Sequence, residues 1–176
     1  MDTSRLLSLA QEMVRYPTVT PADHGLMSHL AKLLKQIGCE VHLLPFGQVH
    51  NLYARYGDRS PVFCFAGHTD VVPVGDPARW SRDPFCGEIS DGLLYGRGTT
   101  DMKAGIAAQI EAVRSFIQER PSFSGSIAFL LTGDEEAVAE DGTVKVLEWL
   151  RSRGEKIDYA LVGEPTCVDK IGDTLK

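Results

Sequence analysis

Two short and almost uninterrupted apolar runs constrain the fold of this chain more than any other feature. They cover residues 61–66 and 126–131. A strand with one solvated face alternates polar and apolar residues, whereas a strand that is buried on both faces is apolar nearly throughout. Both runs therefore predict central strands of a sheet that is covered on two sides.

Helical patterns alternate with strand patterns along the rest of the chain. Apolar residues at helical spacing predict helices over 6–14, 21–37, 102–119 and 143–153. We expect the second helix to begin at Pro21, with Thr20 as its N-cap, and to end at Gly38. The other strand patterns cover 40–44, 51–56, 159–162 and a small hairpin of 88–89 with 93–95. This alternation predicts an α/β three-layer sandwich with a largely parallel central sheet over residues 1–176.

Composition and charge argue against several classes of function. Hydrophobic residues make up 43% of the 176 residues, which is enough for a packed core. The net charge of −6 argues against nucleic acid and an anionic membrane surface as partners, because both favour a basic face. No run approaches the roughly 20 apolar residues of a membrane span, and the first residues lack the apolar core of a signal peptide. A cytoplasmic location is therefore expected.

Four groups of acidic or imidazole side chains stand where a predicted strand ends or a helix begins. These groups are His68 with Asp70, Asp101 alone, Glu135 with Glu136, and Glu164. Each group has an ordinary interpretation when it is taken singly. The first fits a surface turn, the second a helix cap, and the third a solvated acidic turn, while the fourth carries no signal.

The shared position of these four groups favours a different interpretation. Ligands of open α/β sheets bind beyond the carboxyl ends of the strands, where segments that are distant in sequence converge. Carboxylates that crowd together repel one another, and a cation between them relieves the repulsion. One imidazole among several carboxylates suits zinc or a similar divalent ion. The sequence therefore predicts a metal site at this end of the sheet.

Four segments resemble the signatures of the co-catalytic di-zinc peptidases that are related to carboxypeptidase G and aminoacylase. The segments are 67–73, 95–103, 134–136 and 162–165. They occur in the order that the family has, and their matches cover nearly the whole chain. The resemblance implies an amide hydrolase with two Zn²⁺ ions per complete subunit, for which Co²⁺ can substitute.

The same resemblance implies a role for each candidate residue. Asp101 bridges the two ions, His68 and Glu136 complete the protein ligands of one ion, and Glu164 binds the other. Glu135 is expected to be the general base that takes a proton from the attacking water. Asp70 is expected to hydrogen-bond the second nitrogen of His68 and so to fix its tautomer. The peptide bond between Asp101 and Met102 is expected to be cis.

Smaller details favour a branch of this family that hydrolyses a small succinylated amino acid. Three stretches resemble that branch, namely 80–85, 140–143 and the pair Gly172-Asp173. One alternative is another amide hydrolase of the same superfamily, such as an acetylornithine deacetylase or a carboxypeptidase. The other alternative is a non-catalytic metal-binding or interaction module.

The family chain continues beyond the position of Lys176. It forms a lid domain that makes a homodimer, and it then returns to the catalytic domain with a further histidine ligand. The resemblance therefore implies that residues 1–176 are the N-terminal part of a catalytic domain without its lid. This part alone is expected to be inactive.

Overall fold

The computed structural model describes residues 2–167 and 169–170. Within these residues the α-helices are α1 (Thr3–Val14), α2 (Leu26–Ile37), α3 (Ala104–Glu119) and α4 (Thr143–Ser152). The seven strands are β1 (Glu40–Phe46), β2 (Val49–Tyr56), β3 (Val62–His68), β4 (Glu88–Ser90), β5 (Leu93–Tyr95), β6 (Ser126–Thr132) and β7 (Tyr159–Val162). None of the helices in the described ranges combines the length and apolar composition that crossing a membrane requires.

Five strands form the central sheet, in the order β1-β2-β6-β3-β7. β3 pairs in parallel with both β6 and β7, and β2 pairs antiparallel with both β1 and β6. Four of the five strands consequently run in one direction, and β2 alone opposes them. The predicted α/β class with a largely parallel sheet is thereby confirmed. β4 and β5 form the separate small hairpin that the sequence predicts.

Helices cover the sheet on both faces. On one face, Phe129 and Leu131 of β6 pack in a buried cluster with α1, α2 and α3. On the other face, Ala128 and Leu130 pack in a second cluster that includes residues of α4. Successive residues of a strand point to opposite faces, so an apolar strand in this position buries every side chain. This arrangement explains the uninterrupted apolar run of β6 and gives the three layers of the predicted sandwich.

The start of the second helix differs from its prediction. α2 begins at Leu26 and not at Pro21, and Thr20 is not its N-cap. The Thr20 N–H donates instead to the Val71 carbonyl at 3.1 Å, which draws this segment toward the end of β3. The Asp23 carboxylate then accepts from the backbone N–H groups of Gly25 and Met27, both at 2.9 Å. These contacts supply the turn that leads into the helix.

The start of the third helix also differs from its prediction. A π-helical turn, Thr99–Lys103, precedes α3, so the regular helix begins two residues after Met102. Asp101 and Met102 have non-helical backbone angles inside that turn. The peptide bond between them is cis, as the family resemblance implies. The Asp101 side chain is therefore presented by an irregular segment and not by a helix.

Candidate metal centre

The predicted site residues converge at one end of the sheet. His68 is the last residue of β3, and the segment that carries Glu135 and Glu136 follows β6. Glu164 lies two residues beyond the end of β7, and Asp101 lies in the turn before α3. β3, β6 and β7 are parallel neighbours, so their carboxyl ends meet at the same edge. The topology brings together side chains that are up to 96 residues apart in the sequence.

The imidazole of His68 lies at the centre of this cluster. Its side chain is 1% exposed, and its Nε2 atom lies 3.1 Å from Asp101 Oδ1 and 3.2 Å from Glu164 Oε1. Glu135 Oε2 lies 3.8 Å from the same nitrogen, and the Glu135 side chain is 52% exposed. One buried nitrogen thus faces three carboxylates that are more accessible than itself.

The second ring nitrogen of His68 lies beside both the main chain and the carboxylate of Asp70. Nδ1 lies 2.9 Å from the backbone carbonyl oxygen of Asp70 and 3.6 Å from its carboxylate oxygen Oδ1. The carbonyl oxygen is within hydrogen-bonding range and accepts only, so Nδ1 carries the proton and Nε2 is left to face the carboxylates. The Asp70 carbonyl oxygen therefore favours the same tautomer that its carboxylate is predicted to favour, and the predicted role of the carboxylate stays a prediction.

The carboxylate of Asp70 has a different set of partners. It accepts from the backbone N–H of Glu135 at 3.2 and 3.3 Å and from that of Glu136 at 3.1 Å. Its side chain is 1% exposed, so these charge-assisted bonds form away from solvent. Asp70 consequently joins the end of β3 to the segment after β6, and it sets the distance between His68 and the two glutamates.

Met102 and two glycines bring Asp101 next to His68. The Met102 sulfur lies 3.3 Å from the backbone nitrogen of His68. A Cβ atom at Gly67 would come within 2.5 Å of the Met102 side chain, and one at Gly163 within 2.9 Å. A side chain at either position would displace the end of the Met102 side chain, so glycine accommodates this close approach. Glycine on both sides of Met102 therefore allows β3, β7 and the turn before α3 to meet.

Negative charge dominates the electrostatics of the cluster. Burial lowers the pKa of His68, but Asp70 and Glu164 outweigh that effect and raise the pKa to about 9. Burial also raises the pKa of Glu136, and the neighbouring carboxylates of Asp101 and Glu135 add to the rise while His68 opposes it. The rise at Glu136 comes first from burial, whereas the rise at His68 reflects the neighbouring negative charge, which a divalent cation would neutralise.

A fully buried lysine, which the sequence patterns did not single out, lies beside this cluster. Lys103 is 0% exposed, and its Nζ atom donates to the Tyr16 carbonyl oxygen at 2.8 Å. Burial lowers its pKa to about 8, although the charge of Asp70 acts in the opposite direction. Helical spacing made Lys103 look like an ordinary first-turn residue of a helix. Only the irregular turn before α3 explains its inward position.

The donor atoms fit a divalent metal centre. Two groups of three have one donor atom each within 4.8 Å of one another, and His68 belongs to both. Glu135 and Glu136 complete the first group, and Asp101 and Glu164 complete the second. One imidazole with carboxylates is a donor set that zinc, cobalt and manganese accept. The family resemblance implies a different division, in which His68, Asp101 and Glu136 hold one ion and Glu164 binds the other. That division stays a prediction.

The chain is thus an α/β protein with candidate metal ligands at the carboxyl ends of a largely parallel sheet. The sequence model of Peptidase family M20/M25/M40 matches residues 64–176, which include every predicted site residue. The chain belongs to this peptidase family, and the family resemblance of its signatures is thereby confirmed. The pair Gly172-Asp173 lies within the match but outside the residues that the structure describes.

Curated relatives at high identity carry a more particular name. The chain is 53% identical over 175 residues to a succinyl-diaminopimelate desuccinylase of Rhodospirillum centenum, covering 97% of this chain and 45% of that protein. It is 51% identical over 176 residues to a protein of the same name from Acinetobacter baumannii, covering 100% of this chain and 47% of that protein. The chain therefore spans about half the length of these relatives.

Solved structures of other peptidases share the fold. Human carnosine dipeptidase 1 superposes with a TM-score of 0.82 at 24% identity, over 95% of this chain and 40% of that one. A family M20 metallo-carboxypeptidase from Sulfolobus solfataricus superposes with a TM-score of 0.80 at 19% identity, over 94% of this chain and 38% of that one. At these identities, the likeness concerns the fold alone.

Proposed function

We propose that the protein is a metal-dependent amide hydrolase. Its substrate is N-succinyl-LL-2,6-diaminopimelate, and its products are succinate and LL-diaminopimelate, in lysine and cell-wall precursor biosynthesis. The observation that carries the proposal is the buried His68 nitrogen, which lies within 3.8 Å of three carboxylates at the strand ends. The names of relatives that are 51–53% identical support the choice of substrate.

Two zinc ions are the proposed cofactor. His68, Asp101 and Glu136 would hold one ion, while Asp101 and Glu164 would contribute to the other. When bound, such a pair polarises a carbonyl group and lowers the pKa of a water to about 7. The donor chemistry of the cluster supports this proposal, because every proposed ligand atom is an imidazole nitrogen or a carboxylate oxygen.

Glu135 is the proposed general base. Its side chain is about half exposed, so water and substrate can reach the carboxylate, while Asp70 holds its backbone N–H. In this role, the Glu135 carboxylate takes a proton from the attacking water and later donates it to the departing amine. Glu136, the next residue, is more buried and serves as a metal ligand.

The whole protein is proposed to act as a cytoplasmic homodimer that dimerises through a lid domain. Residues 1–176 by themselves are proposed to be inactive, because the lid and a further histidine ligand would be missing. Water exclusion and closure over the substrate both depend on such a lid. The chain covers only 45% of its Rhodospirillum centenum relative, which supports the proposal that activity needs a longer chain.

A substrate panel on the full-length protein tests the proposal. We expect zinc-dependent release of succinate from the succinylated substrate, at a kcat/KM well above that for acetylornithine or a C-terminal dipeptide. Removal of metal with a chelator should abolish turnover, and added zinc should restore it. Preference for the acetylated substrate or the dipeptide would reassign the enzyme within its family. Zinc binding without turnover of any of the three would favour a non-catalytic metal-binding module.

A further inference from the structure

Asp134 makes hydrogen bonds across the segment that carries Glu135 and Glu136. This segment, residues 133–142, is called the glutamate loop below. Asp134 is 6% exposed, and its two carboxylate oxygens accept from the backbone N–H groups of Ala139 at 3.1 Å and Asp141 at 3.2 Å. Both bonds run from the start of the loop to its far side. They fix the width of the loop independently of the bonds that Asp70 makes to Glu135 and Glu136.

A buried polar pair anchors the glutamate loop to the sheet. The Thr132 hydroxyl, at the end of β6, donates to Asn51 Oδ1 at 2.7 Å and accepts from the Asp134 N–H at 3.2 Å. Asn51 on β2 uses its Nδ2 to donate to the carbonyl oxygens of Asp141 at 2.9 Å and Leu44 at 3.1 Å. Asn51 is 0% exposed and Thr132 is 2% exposed. The side-chain polar atoms of Asn51 and Thr132 are thus hydrogen-bonded to the glutamate loop, to each other or to β1.

We propose that Asn51, Thr132 and Asp134 are positioning residues, which hold the glutamate loop in the shape that presents Glu135 and Glu136 to His68. This inference rests on the proposed function, because it assigns these residues to the work of the same site. None of the three side chains belongs to the two groups of metal donors. They act on the site only through the backbone of the glutamate loop. Asp70 holds the backbone of the same loop at Glu135 and Glu136.

The chain supplies a matched control at the opposite end of the same strand. Ser126 begins β6, is 3% exposed, and donates from its hydroxyl to the Arg59 carbonyl oxygen at 2.6 Å. Its hydroxyl also accepts from the Arg59 N–H at 3.1 Å. Thr132 and Ser126 are thus buried hydroxyls at opposite ends of β6, and each donates one hydrogen bond and accepts another from a backbone N–H. Only the loop beside Thr132 carries residues of the site.

The test compares three variants of the full-length protein with the parent, at saturating zinc and substrate. Thr132→Val keeps the shape of the side chain and removes the hydroxyl, whereas Thr132→Ser keeps the hydroxyl, and Ser126→Ala removes the control hydroxyl. We expect Thr132→Val to lower kcat about tenfold or more, because small misplacements of catalytic groups are costly, with KM within about twofold. Thr132→Ser should restore kcat to within about threefold of the parent. Ser126→Ala should lower the melting temperature about as much as Thr132→Val does. Its kcat should nevertheless stay within about twofold of that of the parent.

A second readout separates this inference from the proposed function. We expect zinc to pass to excess chelator several-fold faster from Thr132→Val than from the parent or from Ser126→Ala, since Glu136 sits on the same loop. This measurement needs no substrate, so it remains informative if the parent hydrolyses none of the three compounds. Equal zinc loss and equal kcat in Thr132→Val and the parent would overturn the positioning role. Equal kcat losses in Thr132→Val and Ser126→Ala would show a general effect of stability and would overturn it as well.

Discussion

Among single residues, Asp70 makes the contacts that connect His68 with Glu135 and Glu136. Its carbonyl oxygen fixes the His68 tautomer, and its carboxylate holds the backbone of both glutamates. The family resemblance implied that Asp70 would orient the imidazole. It could not predict which oxygen does so, because that depends on the path of a loop 65 residues further along the chain.

The two adjacent glutamates have different proposed roles, general base for Glu135 and metal ligand for Glu136, and paired substitutions distinguish them. In the full-length protein, we expect Glu135→Gln to lower kcat by roughly 100- to 10,000-fold, the usual contribution of a general base, while both metals stay bound. Glu136→Gln, the matched control on the next residue, should instead reduce the metal content. Metal analysis and turnover on the same preparations check both results. Loss of metal from Glu135→Gln would mean that the two roles are exchanged.

Metal binding by residues 1–176 is expected to be unequal at the two proposed positions. The ion held by His68, Asp101 and Glu136 keeps all its proposed protein ligands, whereas the ion at Glu164 lacks the further histidine of the family. Zinc titration by calorimetry should show one tight site and a second site that is weaker or absent. His68→Ala should remove the tight site, and Glu164→Gln should leave it in place. A tight site that survives in His68→Ala would contradict the ligand assignment.

At the scale of elements, strands were predicted more accurately than the starts of helices. The predicted bounds of β6 and β7 lie within one residue of the observed ones. For β6, the reason is that an apolar run records burial on two faces. The start of α2 depends on the Asp23 side chain and on the contact of Thr20 with Val71. The positions of Asn51 and Lys103 likewise depend on partners that are distant in sequence. Neither local propensity nor periodicity contains those contacts.

The turn before α2 gives a prediction for stability. Asp23 is 8% exposed and accepts two backbone N–H groups at the start of the helix. We expect Asp23→Ala to lower the free energy of unfolding by about 1 kcal/mol, the usual effect of removing a side-chain cap. Asp58→Ala, at a side chain that is 94% exposed, should change it by less than about 0.5 kcal/mol. Denaturant titration of both variants measures the difference in the free energy of unfolding. Equal losses in the two variants would contradict the capping role of Asp23.

At the scale of the whole molecule, β7 leaves one edge of the central sheet open among the described residues. Tyr159 and Leu161 are 62% and 45% exposed, and they pair in register with Phe63 and Phe65 of β3. These four side chains lie on one face of the sheet, because residues two apart in a strand share a face. An open edge beside exposed apolar side chains favours association with another chain.

Residues 1–176 expressed alone should therefore self-associate. We expect analytical ultracentrifugation to show oligomers at micromolar concentrations, and Leu161→Glu to shift the population toward monomer by placing a charge on the edge strand. Leu93→Glu is the matched control, since Leu93 is 59% exposed but belongs to the separate small hairpin. It should leave the association unchanged. A monomeric unsubstituted chain would show that this edge does not drive self-association.

The convergence of His68, Asp101 and Glu164 also has a consequence for how the protein can be observed. These residues become neighbours only after β3 and β7 have paired and the turn before α3 has formed. A partly folded chain that lacks either step has no complete set of ligands, so a metal would bind the native arrangement selectively and stabilise it through mass action. The spectrum of cobalt placed at these residues would then report whether the native arrangement at this end of the sheet has formed, and removal of the metal by a chelator would destabilise that arrangement.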